Sequence, residues 1–375
     1  MKIIGMMSGT SLDGVDLVYV EFNNKNNQIS HRVISNYSRS YPKSLKTRLL
    51  AVSSKEKSNV QMICAMNFEL GEFYGETVVS FMETHNLTFR DIDYISNHGQ
   101  TIWHNPFNLD SFHSSTLQIG ESSVIAALAN IPVIDNFRVM DMALGGQGAP
   151  LIPYSEYLIY SNKSENICLQ NIGGIGNITY LKKAGSIEDV VAFDTGPGNM
   201  LIDQAMQHFF NKAYDSNGDT AKKGELISDL FAFMKNDDYY QKCYPKSTGR
   251  EKYSSEYFSK LLKIVDFKQF SKEDFVYTVT YFTAYTISLG LKFFPETDKL
   301  VIAGGGAYNK TLLSMIKELT ACSVYTQEEL GYDSQYKEAL GFAFLGFACA
   351  NGLFGNIKNV TGAKRSAILG KITPV

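Results

Sequence analysis

Twice in this chain a glycine-bearing polar turn joins two runs of strand-forming residues. The first turn lies in "GMMSGTSLDGVD", residues 5–16, between Lys2-Ile3-Ile4 and the run Val15 to Val20. The second lies in "NICLQNIGGIGNITYL", residues 166–181, which reads as strand, glycine turn, strand. The chain turns at "ALGGQGAP" (143–150), and a similar order of elements then begins again. At 375 residues the chain is long for one core, so two domains are expected.

Short β-rich runs alternate with longer amphipathic ones, the pattern of an α/β architecture. Residues 68–85 place Phe68, Leu70, Phe73, Val78, Phe81 and Met82 at helical spacing. A strand is expected at 91–96, ending at "NHGQT" (97–101), then "STLQIG" (115–120), a helix over 121–130 and a buried strand over 131–137. In the second half, "VVAFDTGPGN" (190–199) reads as a strand running into a turn, with a helix over 200–210. "KLVIAGGGAYNKTLLSMIKEL" (299–319) reads as strand, triple glycine, helix, and the charged stretch 212–275 as a mostly helical insertion. The expected domains are 1–138, completed by the C-terminal segment 353–375, and 139–352, with a helix over 337–352 reaching back toward the first half. Two halves that each open on a glycine-turned hairpin suggest the two-domain, ribonuclease H-like duplicated fold of actin, the hexokinases and the Hsp70 chaperones. In that fold a nucleotide lies in the interdomain cleft.

Composition narrows the partners. A formal net charge of −3 gives no electrostatic case for nucleic acid or an anionic membrane. The five cysteines are scattered with no CxxC pair, which reads as free thiols in a reducing compartment and neither a disulfide frame nor a zinc site. The chain begins directly on a strand and holds no apolar run of membrane-spanning length, so a cytoplasmic protein is expected.

Each motif has a plain reading beside a chemical one. In Gly9-Thr10-Ser11-Leu12-Asp13-Gly14-Val15-Asp16, backbone N–H groups and two hydroxyls can converge on phosphate. Asp13 can orient magnesium through its waters, because that ion prefers oxygen ligands and keeps part of its shell. The plain reading is a hairpin whose Asp-Gly pair satisfies turn geometry. No Gly-Lys-Ser/Thr follows, so this is not a Walker A loop. Gly173 and Gly174 form the corresponding turn of the second half, and together the two loops favour a nucleotide clamp.

"FDTGPGN" (193–199) carries more weight. Asp194 ends an apolar strand and suits a general base, while Asn199 is the cap candidate for the helix that follows. Gly304, Gly305 and Gly306 permit close contact with adenine or phosphate, or simple packing of strand on helix. In "NHGQTIWHNP" (97–106), His98, Gln100 and Thr101 suit hydrogen bonding to a polyhydroxyl ligand. Trp103, the only tryptophan, suits a sugar platform or a packed core.

These segments, with "TLQIGESSVIA", "DNFRVMDMALGGQGAPLIP", "KSTGRE" (246–251) and "NVTGAKRSAILG" (359–370), resemble the anhydro-N-acetylmuramic acid kinase family nearly end to end. The resemblance implies an ATP- and magnesium-dependent kinase of the actin/hexokinase-like superfamily. Such an enzyme opens 1,6-anhydro-N-acetylmuramic acid with water and phosphorylates the freed O6, a step of peptidoglycan recycling. It implies Asp194 as the base, the 9–16 loop on the phosphates, and 304–306 near adenosine. Arg138, Lys246 and Arg250 are candidates for the substrate's lactyl carboxylate, and Glu338 for its hydroxyls or as a helix N-terminal charge. The family tends toward homodimers, which no residue here shows. Three departures touch the expected sugar side: "YSEY" (154–157) where many relatives carry His, Trp103 in place of Arg or Phe, and Gln335 in place of Asp. They leave open a kinase of the same fold for another anhydro- or amino sugar.

Overall fold

The computed structural model describes residues 1–9, 12–25, 28–108, 112–249 and 251–375. The chain divides into one unit of Met1–Ile159 with Gln335–Val375 and a second of Tyr160–Ser334.

The first unit opens with strands β1 (Lys2–Ser8), β2 (Gly14–Lys25) and β3 (Gln28–Ser40), followed by helices α1 (Lys43–Val52) and α2 (Val60–Thr84). Then come β4 (Tyr94–Asn105), β5 (Ser115–Ile119), α3 (Ser122–Ala129), β6 (Val133–Asp135), α4 (Phe137–Ala143) and α5 (Ile152–Tyr160). In the second unit lie β7 (Ile167–Ile172), β8 (Ile175–Leu181), β9 (Val191–Pro197), α6 (Met200–Phe210), α7 (Ser228–Lys235) and α8 (Ser255–Ile264). It closes with α9 (Lys272–Leu291), β10 (Lys299–Ala303), α10 (Lys310–Leu319) and β11 (Ser323–Thr326). The chain then returns to the first unit as α11 (Lys337–Ala350), α12 (Lys358–Thr361) and β12 (Lys371–Thr373).

The two sheets repeat one topology. In the first, the order β6-β4-β1-β2-β3 sets an antiparallel β1-β2-β3 meander beside two parallel strands, with β12 and β5 added. In the second, β11-β10-β7-β8-β9 has the same order and the same senses. The expected duplicated α/β fold is therefore visible inside the chain itself. Parallel strands need crossovers, and helices supply them in both units.

Three expectations change. β4 does not stop at 97–101 but continues to Asn105, because antiparallel β5 pairs with it from Gln100↔Ile119 to Asn105↔Ser115. The divisions fall at 159/160 and 334/335, not at 138/139 and 352/353, since α11 packs on β1, β2 and β4 of the first sheet. The stretch 212–275 contains two short helices and single turns packed against α9, so α9 is the core of that region. A capping box at Ser271 and Asp274 starts α9, and thirteen of its residues are buried.

Residues Ala339 to Ala348 of α11 are all buried, so this helix runs through the first unit's core. It approaches β1 closely only because position 5 is glycine. A Cβ there would overlap the Ala339 carbonyl and lie 2.8 Å from the Ala343 Cβ. Gly5→Ala is expected to lower stability by about 1–3 kcal/mol, the usual cost of overpacking, read as a lower urea midpoint. An unchanged midpoint would contradict this packing. No helix among the described residues is long and apolar enough to cross a membrane.

Candidate active site

The tip of the β7–β8 hairpin grips the chain after β9. Gly198 N–H donates to the Gly174 carbonyl at 2.8 Å and Asn199 N–H to the Gly173 carbonyl at 2.7 Å. From the other side, α9 contributes the Thr283 hydroxyl, which donates to the Gly198 carbonyl at 2.9 Å. Asn199 stands at the α6 N-cap without capping it; its Nδ2 donates instead to the Ile172 carbonyl at 3.1 Å. The expected cap is thus a strut between β7 and α6.

Asp194 lies within β9, not at its end. Its backbone is tied on both sides. Its N–H donates to the Lys246 carbonyl at 3.2 Å, and its carbonyl accepts from the Tyr239 hydroxyl at 2.6 Å. Carboxylate Oδ2 accepts from Thr248 N–H at 2.9 Å. The fold thereby joins "FDTGPGN" to "KSTGRE", motifs some fifty residues apart. Burial pushes the Asp194 pKa up to about 6, against the Thr248 hydrogen bond and with the help of nearby Glu251. Lys246 places its ammonium over the rings of Tyr239, Phe293 and Phe193 at 5.0, 5.3 and 5.5 Å. Burial lowers its pKa. Arg250 lies outside the described residues.

The triple glycine divides its labour. Gly304 has φ +83, and a Cβ there would meet Asn171 and Ile172, while one on Gly306 would strike Ile172. Both are close-packing positions. A Cβ on Gly305 would make only an ordinary 3.5 Å contact with Asn199 Nδ2, and Gly305 lines a cavity of about 470 Å³ with Asp203, Tyr214 and Tyr308. Asn309 then caps α10 by accepting from Leu312 N–H at 2.9 Å.

In the first unit, Thr10 and Ser11 lie outside the described residues. Leu12 has φ +55 and is buried, and Val15 is buried too, so their side chains anchor the loop and only their backbones can meet a ligand. Gln100 is wholly buried beneath it, accepting from the Ser8 hydroxyl and donating to the Gly9 carbonyl at 3.3 Å. Ser8, Tyr41 and Tyr74 extend this chain of hydroxyls into the core. Gln100 therefore supports the loop from below. Thr101 is half-buried and accepts from Gln118 Nε2 at 3.3 Å. Trp103 lies under the Lys55 ammonium at 4.9 Å.

A second cavity, of about 350 Å³, is lined by Gly9, Asp13, Gly14, Asp16, Gln335 and Glu338 among others. Asp13 is exposed and paired with Lys46 at 2.7 Å, and Asp16 accepts from Ser38 at 2.5 Å and from Gln335 at 3.3 Å. No group of three or more His, Cys, Asp or Glu among the described residues could hold a metal ion. Asp13, exposed and already paired with Lys46, would suit only an ion that keeps its waters, which is the habit of magnesium. Glu338 opens into the cavity, yet the protein packed around it raises its pKa; Arg138 and Lys337 oppose the rise and Asp16 adds to it. Arg138 donates to His98 Nε2 at 3.0 Å and to the Gly148 carbonyl at 2.7 Å. Burial and the Arg138 charge hold the pKa of His98 well below the ordinary value, so the ring is neutral and can accept. His98 thus positions Arg138 from within the core.

The model for the family described as anhydro-N-acetylmuramic acid kinase matches residues 1–375. The chain belongs to that family. It is 46% identical to the anhydro-N-acetylmuramic acid kinase of Clostridioides difficile (strain 630), covering 100% of this chain and 98% of that one. It is 42% identical to the protein of the same name from Bacillus cereus (strain Q1), covering 100% and 99%. Among solved structures it is distantly similar to an activator of 2-hydroxyisocaproyl-CoA dehydratase from Clostridium difficile with bound ADPNP. That similarity is 14% identity, 94% and 96% coverage and a TM-score of 0.46.

Two departures from the family pattern now have places. Gln335 lines the Glu338 cavity. In 154–157, Tyr154 and Ser155 are buried, and Glu156 pairs with Lys337 at 2.6 Å, with side chains only 6% and 10% exposed. Sequence reasoning missed this pair, although a lone Glu in the apolar run "IPYSEYLIY" signals a buried partner. Removing one member strands the other charge in the core. Glu156→Gln is expected to cost about 3–5 kcal/mol, and adding Lys337→Met should recover most of it. A urea titration checks both, and equal loss in single and double variants would contradict the pairing.

Proposed function

We propose that this chain catalyses the reaction its family name implies, with Asp194 as the base that takes a proton from water. ATP-dependent opening of 1,6-anhydro-N-acetylmuramic acid yields N-acetylmuramic acid 6-phosphate and ADP, a step of peptidoglycan recycling in the cytoplasm. The carrying observation is Asp194. One carboxylate oxygen is fixed by Thr248 N–H, and the other has no hydrogen bond among the described residues. Its pKa near 6 makes it ionised at neutral pH yet a better base than an ordinary carboxylate.

The balance of the step is simple. Asp194 accepts a proton as the water oxygen bonds the anomeric carbon. The bond from that carbon to the bridge oxygen breaks, and the freed O6 bonds the γ-phosphorus as the bond from that phosphorus to the β–γ bridging oxygen breaks and ADP leaves. The second unit also supplies Gly305 and its cavity for the nucleoside. The first unit supplies the 9–16 backbone for phosphate, Asp13 toward a hydrated magnesium ion, and Arg138 and Glu338 toward sugar carboxylate and hydroxyls. Magnesium, when bound, neutralises charge on the transferred group. His98 and Gln100 act by holding Arg138 and the loop.

Gln335 in the Glu338 cavity supports one further reading, a different anhydro- or amino sugar as acceptor. A sugar panel with labelled ATP separates the two. Phosphorylation of another sugar and none of the anhydromuramate selects the second.

Asp194→Asn is expected to lower kcat by about 10²–10⁴-fold, the usual share of a general base, with ADP binding retained. The base must be ionised and its pKa is raised, so wild-type kcat should fall as pH drops through about 6. Normal turnover by the variant, or a flat profile from pH 5 to 8, would contradict the assignment.

A further inference from the structure

The cavity beside Gly305 contains a carboxylate that the reaction above does not use. Asp203 stands in the first turn of α6, half-buried. Its carboxylate has no hydrogen bond or ion pair among the described residues. Its polar neighbours are committed elsewhere. Both carboxylate oxygens of Asp215 accept backbone N–H groups, from Thr220 and Ala221, at 2.9 Å. Asn309 caps α10, and Asn199 is the strut to Ile172. Burial alone pushes the Asp203 pKa up to about 6, with no structural contact to offset the desolvation. A half-buried acceptor of this kind is costly to the fold and is explained by a donor that arrives with the ligand.

The cavity also identifies which donor. Tyr214 and Tyr308 line it as well, both more than half exposed, and give it aromatic faces. A carboxylate repels phosphate, so it meets the uncharged end of a nucleotide. The sugar offers two hydroxyl donors on adjacent carbons, which match the two unoccupied carboxylate oxygens; an exocyclic amino group offers no such pair. We propose that Asp203 accepts the 2′- and 3′-hydroxyls of the nucleotide's ribose and thereby selects ribonucleotides over deoxyribonucleotides. This inference rests on the reading that the Gly305 cavity takes the nucleoside.

Calorimetric titration of the full chain without sugar tests it, using ADP, 2′-deoxy-ADP and inosine diphosphate, with and without magnesium. The proteins are wild type, Asp203→Asn and Asp203→Ala, each first shown to melt as the wild type does. Hydrogen bonds to a charged acceptor predict that wild type binds ADP about 10- to 100-fold more tightly than 2′-deoxy-ADP. Asp203→Ala should bind the two within about twofold, by losing more affinity for ADP than for 2′-deoxy-ADP, which keeps its 3′-hydroxyl. A preference that survives in Asp203→Ala overturns the proposal. So does a loss that follows the 6-amino group, or one confined to magnesium-containing buffer. Equal binding of ADP and 2′-deoxy-ADP by wild type overturns the ribose contact but keeps the nucleoside cavity. No ADP binding by wild type overturns the cavity reading itself.

Discussion

A two-residue turn holds the second unit's chemistry in place. The carbonyls of Gly173 and Gly174 take the N–H groups of Gly198 and Asn199, and so fix where β9 ends and α6 begins. Asp194 lies upstream of that grip and Asp203 downstream. Gly304 and Gly306 press against Ile172 on the same hairpin, which leaves Gly305 facing the cavity. Asp194, Asp203 and Gly305 are thereby referenced to one backbone feature. Rigid reference of this kind is what a base requires if it is to meet water in one geometry.

The first unit solves the equivalent problem with side chains. Its β1–β2 turn is anchored by Leu12, buried despite a left-handed backbone, and by Gln100 bonded to Ser8 and to the Gly9 carbonyl. Both sheets share one strand order and the same strand senses, yet one hairpin tip grips a helix start and the other rests on a buried amide. Duplication therefore fixed the topology and left the turns free to diverge. Helix α11 binds this unit together, and its first turn carries both Lys337, paired inward with Glu156, and Glu338, open to the cavity.

Much of this was legible in the residues because turns and strand ends use distinctive chemistry. Glycine clusters at 173–174 and 304–306 marked the hairpin and the strand-to-helix passage, and alternation marked the strands around them. Helix α9 was not legible. Its Val, Thr, Tyr and Phe residues favour strands, and tertiary burial overrides that preference. Only the Ser271–Asp274 box announced it locally. The extension of β4 was hidden because Gly99 and the polar residues of "NHGQT" read as a loop, while pairing with β5 supplies what they lack. Long-range partnerships such as Glu156 with Lys337, or Asp194 with Thr248, leave no periodic trace.

The central claim is that Asp194 directs water to the anomeric carbon while phosphate goes to O6. The most direct measurement is mass spectrometry of the product formed from the anhydromuramate and ATP in heavy-oxygen water. The account predicts one heavy oxygen at the anomeric hydroxyl and none in the phosphate. Label in the phosphate with an unlabelled anomeric position would contradict it.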